Sequence, residues 1–327
     1  MTKKRIDWID IVKGIGILLV LIFHAVPLTT PPRIFLNTFA YSFHLPLFFI
    51  IGGYTIKEIS LVKDNVKNIV FKNLKNIILP YYFYTFFILI IELLKNFIQK
   101  DFTVQGTVNL ICDYIFLKGL KADWFLPALF YAKTLFELAY IYIIKNHKLL
   151  YLLLPICAIA VMFIPQQYKY LHCIICGVIG CFFVSIGFYI KKLNIKLKWQ
   201  YMIVISVIWI ISTYFNKKVS LLALEYGNSI ILCLLNGILG TLIVIYFSQH
   251  IEKFKVLKKP FVYMGKYSLV IMVIHMEIIA VLNEVFNRIS FMKSHNSLSI
   301  IAVIIITLSA SLIISPIIDK IYKKIIK

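Results

Sequence analysis

A long apolar run recurs roughly every 30 residues along this chain, and each run is long enough to cross a hydrocarbon core of about 30 Å. No motif constrains the fold as tightly. A backbone in lipid has to satisfy its own hydrogen bonds, which leaves helices as the natural solution for segments of this length. With 61% of residues hydrophobic and a mean hydropathy of +0.89, the chain lies far from the balance of a soluble domain. The expected fold is all-α: a polytopic integral membrane protein with about ten transmembrane helices. The spans are placed at 9–28, 37–56, 77–97, 124–144, 149–165, 172–190, 200–216, 228–248, 262–284 and 298–318. One membrane domain, 1–327, is expected to account for the chain, since no composition shift or fixed-period repeat divides it.

The formal net charge of +21 is explained by where it sits. Lysines and arginines crowd into alternate connections, among them Lys3-Lys4-Arg5, the segment from Lys57 to Lys75, Lys191 to Lys198, Lys253 to Lys266 and Lys320 to Lys327. The intervening connections are poorer in them. The positive-inside rule therefore places both termini in the cytoplasm and makes anionic lipid, not nucleic acid, the natural neighbour of the charge. The basic start followed by an apolar run imitates a signal peptide. Lys13 interrupts that run, however, and no convincing cleavage site follows, so it reads as a retained first span.

Two connections are longer than the rest. Residues 57–76 carry Ile59, Val62, Val66, Ile69, Val70 and Leu74 at helical spacing with lysines elsewhere, the pattern of an amphipathic helix on the inner interface. It serves either as an anchor or as an electropositive floor beneath a phosphate-bearing ligand. Residues 98–123 form an extracytoplasmic loop with a short helix expected from Val108 to Leu117. This loop leads into Asp123-Trp124-Phe125-Leu126-Pro127, where the tryptophan suits an aromatic belt and the proline a helix start. The six cysteines lie mostly within spans and indicate no disulfide framework. His172-Cys173-x-x-Cys176 could in principle take a metal or form a disulfide, but a lone pair at a helix end is more often packing; no metal site is assigned.

Chemistry is most legible in the polar residues inside the apolar runs. Lys13 and His24 are 11 positions apart in the first run, so they share a helix face about three turns, or about 16 Å, apart. Burying an ammonium and an imidazole there is costly and calls for partners within the bundle. Asp10, three residues before Lys13, offers an ion pair that would neutralise it without any catalytic meaning. With the first span running outward and the second inward, His24 and His44 fall at similar depth. They form a candidate general-base or proton-relay pair, against the plainer reading of interhelical hydrogen bonds. Pro46, just after His44, favours a kink. His275 and Glu277 follow in the ninth span and diverge by about 200°, so one of them can face a given cavity; His275 is favoured.

Four segments together resemble the acyltransferase-3 family of ten-span bacterial membrane proteins, in particular its stand-alone, fucose 4-O-acetylase-like branch. They are Asp10-x-x-Lys13-Gly14 with His24, Ser42-Phe43-His44-Leu45-Pro46-Leu47-Phe48-Phe49 continuing to Gly53, Trp124-Phe125-Leu126-Pro127-Ala128-Leu129, and Gly265-Lys266-x-Ser268-Leu269 through His275. Lysine stands at 13 where many members carry arginine, which removes bidentate phosphate binding. Tyr267 stands where asparagine is expected.

The resemblance implies a membrane O-acetyltransferase of the bacterial cytoplasmic membrane. It would move an acetyl or other acyl group from cytoplasmic acyl-CoA, a donor substrate and not a bound cofactor, to a hydroxyl of an envelope or lipid-linked glycan. Lys13, with Lys72 and Lys75, would hold the donor phosphates. His24 would act as base with His44 orienting or shuttling the proton, or as a nucleophile through an acyl-imidazole. Asp10, Asp123, Trp124 and His275 are further candidates. The competing class is a proton-coupled transporter or flippase of an envelope precursor; against it, no pair of Gly/Pro-broken spans occupies corresponding halves of the chain.

Overall fold

The computed structural model describes residues 5–26, 31–58, 65–98, 103–143, 147–294 and 296–326. Its helices are, in chain order, α1 (Asp7–Ala25), α2 (Pro31–Tyr41), α3 (His44–Tyr54), α4 (Val66–Asn73), α5 (Leu79–Ile98) and α6 (Val104–Ile115). There follow α7 (Phe125–Tyr142), α8 (His147–Met162), α9 (His172–Lys192), α10 (Trp199–Asn216) and α11 (Ile230–Ile251). The last four are α12 (Lys255–Lys266), α13 (Ser268–Arg288), α14 (Ser290–Ser294) and α15 (Asn296–Ile325). Among the described residues there is no strand, and one isolated bridge joins Ser220 to Glu225. The all-α expectation holds. Among the described residues seven helical stretches are long and apolar enough to cross a membrane: α1, Val66–Ile98, α9, α10, α11, α13 and Ser297–Ile325.

The remaining expected spans differ from that description for local reasons. The stretch expected at 37–56 is two helices, interrupted at Ser42-Phe43, where Phe43 takes φ −139° and ψ −16°. Pro46 then falls in the first turn of α3, where its missing N–H has no intrahelical acceptor to lose. So the proline sits inside a helix start and not at a mid-span kink. The stretch at 124–144 is α7, made less apolar by Lys133, Glu137 and its tyrosines. The apolar part of the stretch at 149–165 is the short Leu152–Met162.

Two boundaries move further. Of the amphipathic segment 57–76, Ile59, Val62 and Lys63 lie outside the described residues. Its remainder, α4, is no separate interfacial helix: it runs through a π-helical turn at Leu74–Ile78 into α5 as one helical stretch. The span expected at 262–284 begins at Ser268, because Tyr267 (φ −106°, ψ 10°) separates it from α12. Residues 262–266 belong to that amphipathic helix. The short loop helix is found at Val104–Ile115, capped by the Thr103 hydroxyl accepting from the Gly106 N–H at 3.1 Å.

The contacts group the chain into two compact units. The first comprises residues 1–40 and 242–327. In it α1 packs against α12, α13 and α15. The α1–α12 contact is set by two glycines: a Cβ on Gly14 would lie 2.2 Å from the Phe261 carbonyl oxygen, and one on Gly265 would lie 1.8 Å from that of Asp10. Backbones this close admit no side chain. Gly265→Val is therefore expected to destabilise the protein by about 1–3 kcal/mol, read as a lower melting temperature in detergent. Gly52→Ala, whose nearest neighbour is a flexible Leu129 methyl at 3.3 Å, should change it little.

The second unit, 41–241, is organised on α9, which packs against α3, α7 and α8. Its core holds Phe49, Phe136, Tyr140, Phe183 and Phe188, each almost fully buried. A buried polar cluster braces the π turn. Glu137 of α7 accepts from Asn73 Nδ2 at 2.6 Å and pairs with Lys72 Nζ at 3.3 Å, while Asn73 also donates to Thr134 Oγ1 at 3.2 Å.

Candidate active site

In the first unit His24, near the C-terminal end of α1, meets His275, midway along α13. His24 Nδ1 and His275 Nε2 are 2.7 Å apart, with the rings stacked at 5.0 Å between centroids and 7° from parallel. His275 is fully buried and its Nδ1 lies 3.0 Å from the Ile271 carbonyl oxygen. A carbonyl can only accept, so His275 Nδ1 carries the hydrogen. In the neutral ring Nε2 is then the acceptor, and His24 Nδ1 must donate to it. This chain of two bonds puts a hydrogen on His24 Nδ1, so that in its neutral form the ring carries its lone pair on Nε2. Beyond the pair, Ala25, Ile279, Phe286 and Val303 of α15 form an apolar cluster.

The N-terminal end of α1 is polar. Asp10, 3% exposed, accepts from Arg5 Nε at 2.8 Å and Arg5 Nη2 at 2.9 Å, and its Oδ1 is 3.5 Å from Lys13 Nζ. Asp7 pairs with Lys258 of α12 at 2.6 Å. Arg5 also lies within electrostatic reach of Asp319 and Tyr267. The expected Asp10–Lys13 pair thus exists in a longer form, with Arg5 as the closer partner. Sequence reasoning treated Arg5 as topogenic charge only; its spacing of five from Asp10, across the start of a helix, gave no sign of a bidentate contact.

The other candidates fall in the second unit. His44 is buried at the first position of α3, with its ring 4.8 Å from that of Tyr41. Within the first unit the imidazole bonded to His24 is His275. Lys72 is engaged by Glu137, and Lys75 is exposed. Asp123, 2% exposed, accepts from the Leu120 and Lys121 N–H groups at 3.0 and 2.7 Å and from Thr85 Oγ1 at 3.0 Å, tying the loop before α7 to α5. Trp124 packs against His172, with ring centroids 4.5 Å apart. Cys173 Sγ donates to the Lys118 carbonyl at 3.3 Å and Cys176 Sγ to that of Leu221 at 3.4 Å, so the two thiols serve different loops. No group of three potential metal ligands occurs among the described residues.

A family model described as an acyltransferase domain, acyltransferase-3, matches residues 6–316, nearly the whole chain. The chain belongs to the acyltransferase-3 family. It is a membrane acyltransferase, and the match takes in both imidazoles of the pair, His44, and the polar end of α1. No curated protein and no solved structure matches the chain. Acyl transfer to a hydroxyl needs a base that can take the hydroxyl proton, and a neutral imidazole held in one tautomer by a second, buried one is suited to that task.

Proposed function

We propose that this acyltransferase moves an acetyl group from cytoplasmic acyl-CoA to a hydroxyl of an envelope carbohydrate, within the sugar O-acetylase branch of its family and in a bacterial cytoplasmic membrane. The observation that carries the reading is the His24–His275 pair. His24 Nε2 takes the proton of the acceptor hydroxyl as that oxygen attacks the thioester carbonyl. The new C–O ester bond forms, the C–S bond breaks, and the proton passes from His24 to the departing thiolate. His275 touches no reacting atom; it accepts from His24 Nδ1 and stabilises the imidazolium formed during transfer. His44 remains a candidate second imidazole of the reaction. The polar end of α1 is the cytoplasmic end, by the distribution of lysine and arginine.

The family membership weighs against a transporter or flippase. Purified protein incubated with labelled acetyl-CoA and candidate glycans is expected to release free CoA and label the glycan. Folded protein that cleaves no acyl-CoA but moves glycan across vesicles without it would overturn the proposal.

A further inference from the structure

A groove of about 530 Å³ opens in the first unit between Tyr267, at the junction of α12 and α13, and the last turns of α15, where Pro316, Asp319, Lys320, Lys323 and Lys324 line it. Its charge is unbalanced. Asp319 is held by Lys323 at 2.5 Å, whereas Lys320 and Lys324 have no ion-pair partner among the described residues. Lys266 adds a third cation, its Nζ lying 4.9 Å from the centroid of the Tyr267 ring. Lysines in the last turn of a helix commonly do no more than complement its dipole. Here they also line a concavity with a buried aromatic side chain, and that combination calls for a ligand that is anionic and partly aromatic.

The groove also lies at a useful distance. Tyr267 precedes His275 by eight residues, about 12 Å along α13, and Lys320 lies about 20 Å along α15 from Thr307. Thr307 is one turn from Val303, which packs in the apolar cluster with Ala25, the neighbour of His24. The fully buried face of α15 between groove and cluster carries the Thr307, Ser311 and Ser315 hydroxyls, none of which has a hydrogen-bond partner among the described residues. Small side chains with unmet hydrogen bonds hold a helix less firmly than interlocked apolar ones, so this face of α15 can yield to an inserted chain. Pro316 loosens it further, leaving the Leu312 carbonyl to accept from the Tyr263 hydroxyl at 3.2 Å.

We propose that this groove holds the phosphate-bearing nucleotide end of the acyl-CoA donor, with Lys320 and Lys324 on the phosphates and Tyr267 beside the base. The proposal rests on the acyl-CoA reading above. It differs from the sequence expectation, which gave the phosphates to Lys13, Lys72 and Lys75, in assigning them to Lys320 and Lys324 of α15. Anionic lipid headgroups carry the same phosphate chemistry, and the test separates the two.

Full-length protein is assayed in neutral detergent and in nanodiscs with and without phosphatidylglycerol, using acetyl-CoA and S-acetylpantetheine, which lacks the phosphates. In the Lys320→Ala/Lys324→Ala variant the KM for acetyl-CoA should rise roughly tenfold or more, with kcat within about twofold and S-acetylpantetheine turnover unchanged. An unchanged KM in a setting where the parent turns over acetyl-CoA overturns the groove assignment and leaves the acyltransferase reading intact. Equal loss with both donors points to general damage and overturns it as well. A change seen only in phosphatidylglycerol nanodiscs makes lipid the occupant. A parent that cleaves no acyl-CoA removes both readings at once.

Discussion

Replacing His24 by alanine is expected to lower acetyl transfer by about 10²- to 10⁴-fold, the range for loss of a positioned general base. Variant protein should still accumulate in membranes, because His24 is only partly buried and its removal leaves the glycine contacts between α1 and α12 in place. The KM for acetyl-CoA should change little, since the proton transfer belongs to the transition state and not to donor binding. The measurement is initial-rate transfer from labelled acetyl-CoA, normalised to folded protein. Activity retained at the parental level would remove His24 from the mechanism. The acyl-imidazole version is separable in the same assay: protein incubated without acceptor would become acetylated, and His24→Ala would abolish that labelling.

The second large effect is expected at His275, a positioning residue. His275→Ala removes the acceptor for His24 Nδ1 and frees the ring to adopt the unproductive tautomer; turnover should fall by about 10²-fold, toward the lower end of the general-base range. Two readouts distinguish positioning from simple loss of fold. The double variant His24→Ala/His275→Ala should be no slower than His24→Ala alone, because the second imidazole acts only through the first. His275→Gln, which restores an acceptor oxygen, should recover part of kcat with KM unchanged. Additive losses in the double variant would make His275 independent of His24 and refute the paired arrangement.

Much of this was legible in the chain itself. The apolar runs locate α1, α9, α10, α11, α13 and α15, because hydrophobic length reports a span directly. The 11-residue spacing of Lys13 and His24 likewise stands, both lying on the single helix α1. What could not be read is that His275 would stack on His24 and bond to it. Hydropathy and topology assign each residue an axial depth, which put His44 level with His24 and His275 at middle to outer height. Depth says nothing of which helix is a neighbour or how it is rotated. The same blindness hid α12, whose Phe261, Val262 and Met264 merge with the next apolar run until Tyr267 breaks the helix. It also hid the groove, since Tyr267 and Lys320 are separated by most of α13 and α15 in sequence.

The sequence by itself determined a membrane-spanning all-α chain, its family, and the costly polar residues that something must partner. Tertiary structure alone decided the partners: His275 for His24, Arg5 for Asp10, Glu137 for Lys72. The reason is physical. Burial in lipid is a property of one segment's composition, whereas a hydrogen bond between helices depends on their rotation and close approach. In the first unit these are set by glycines at 14 and 265 that let two backbones touch.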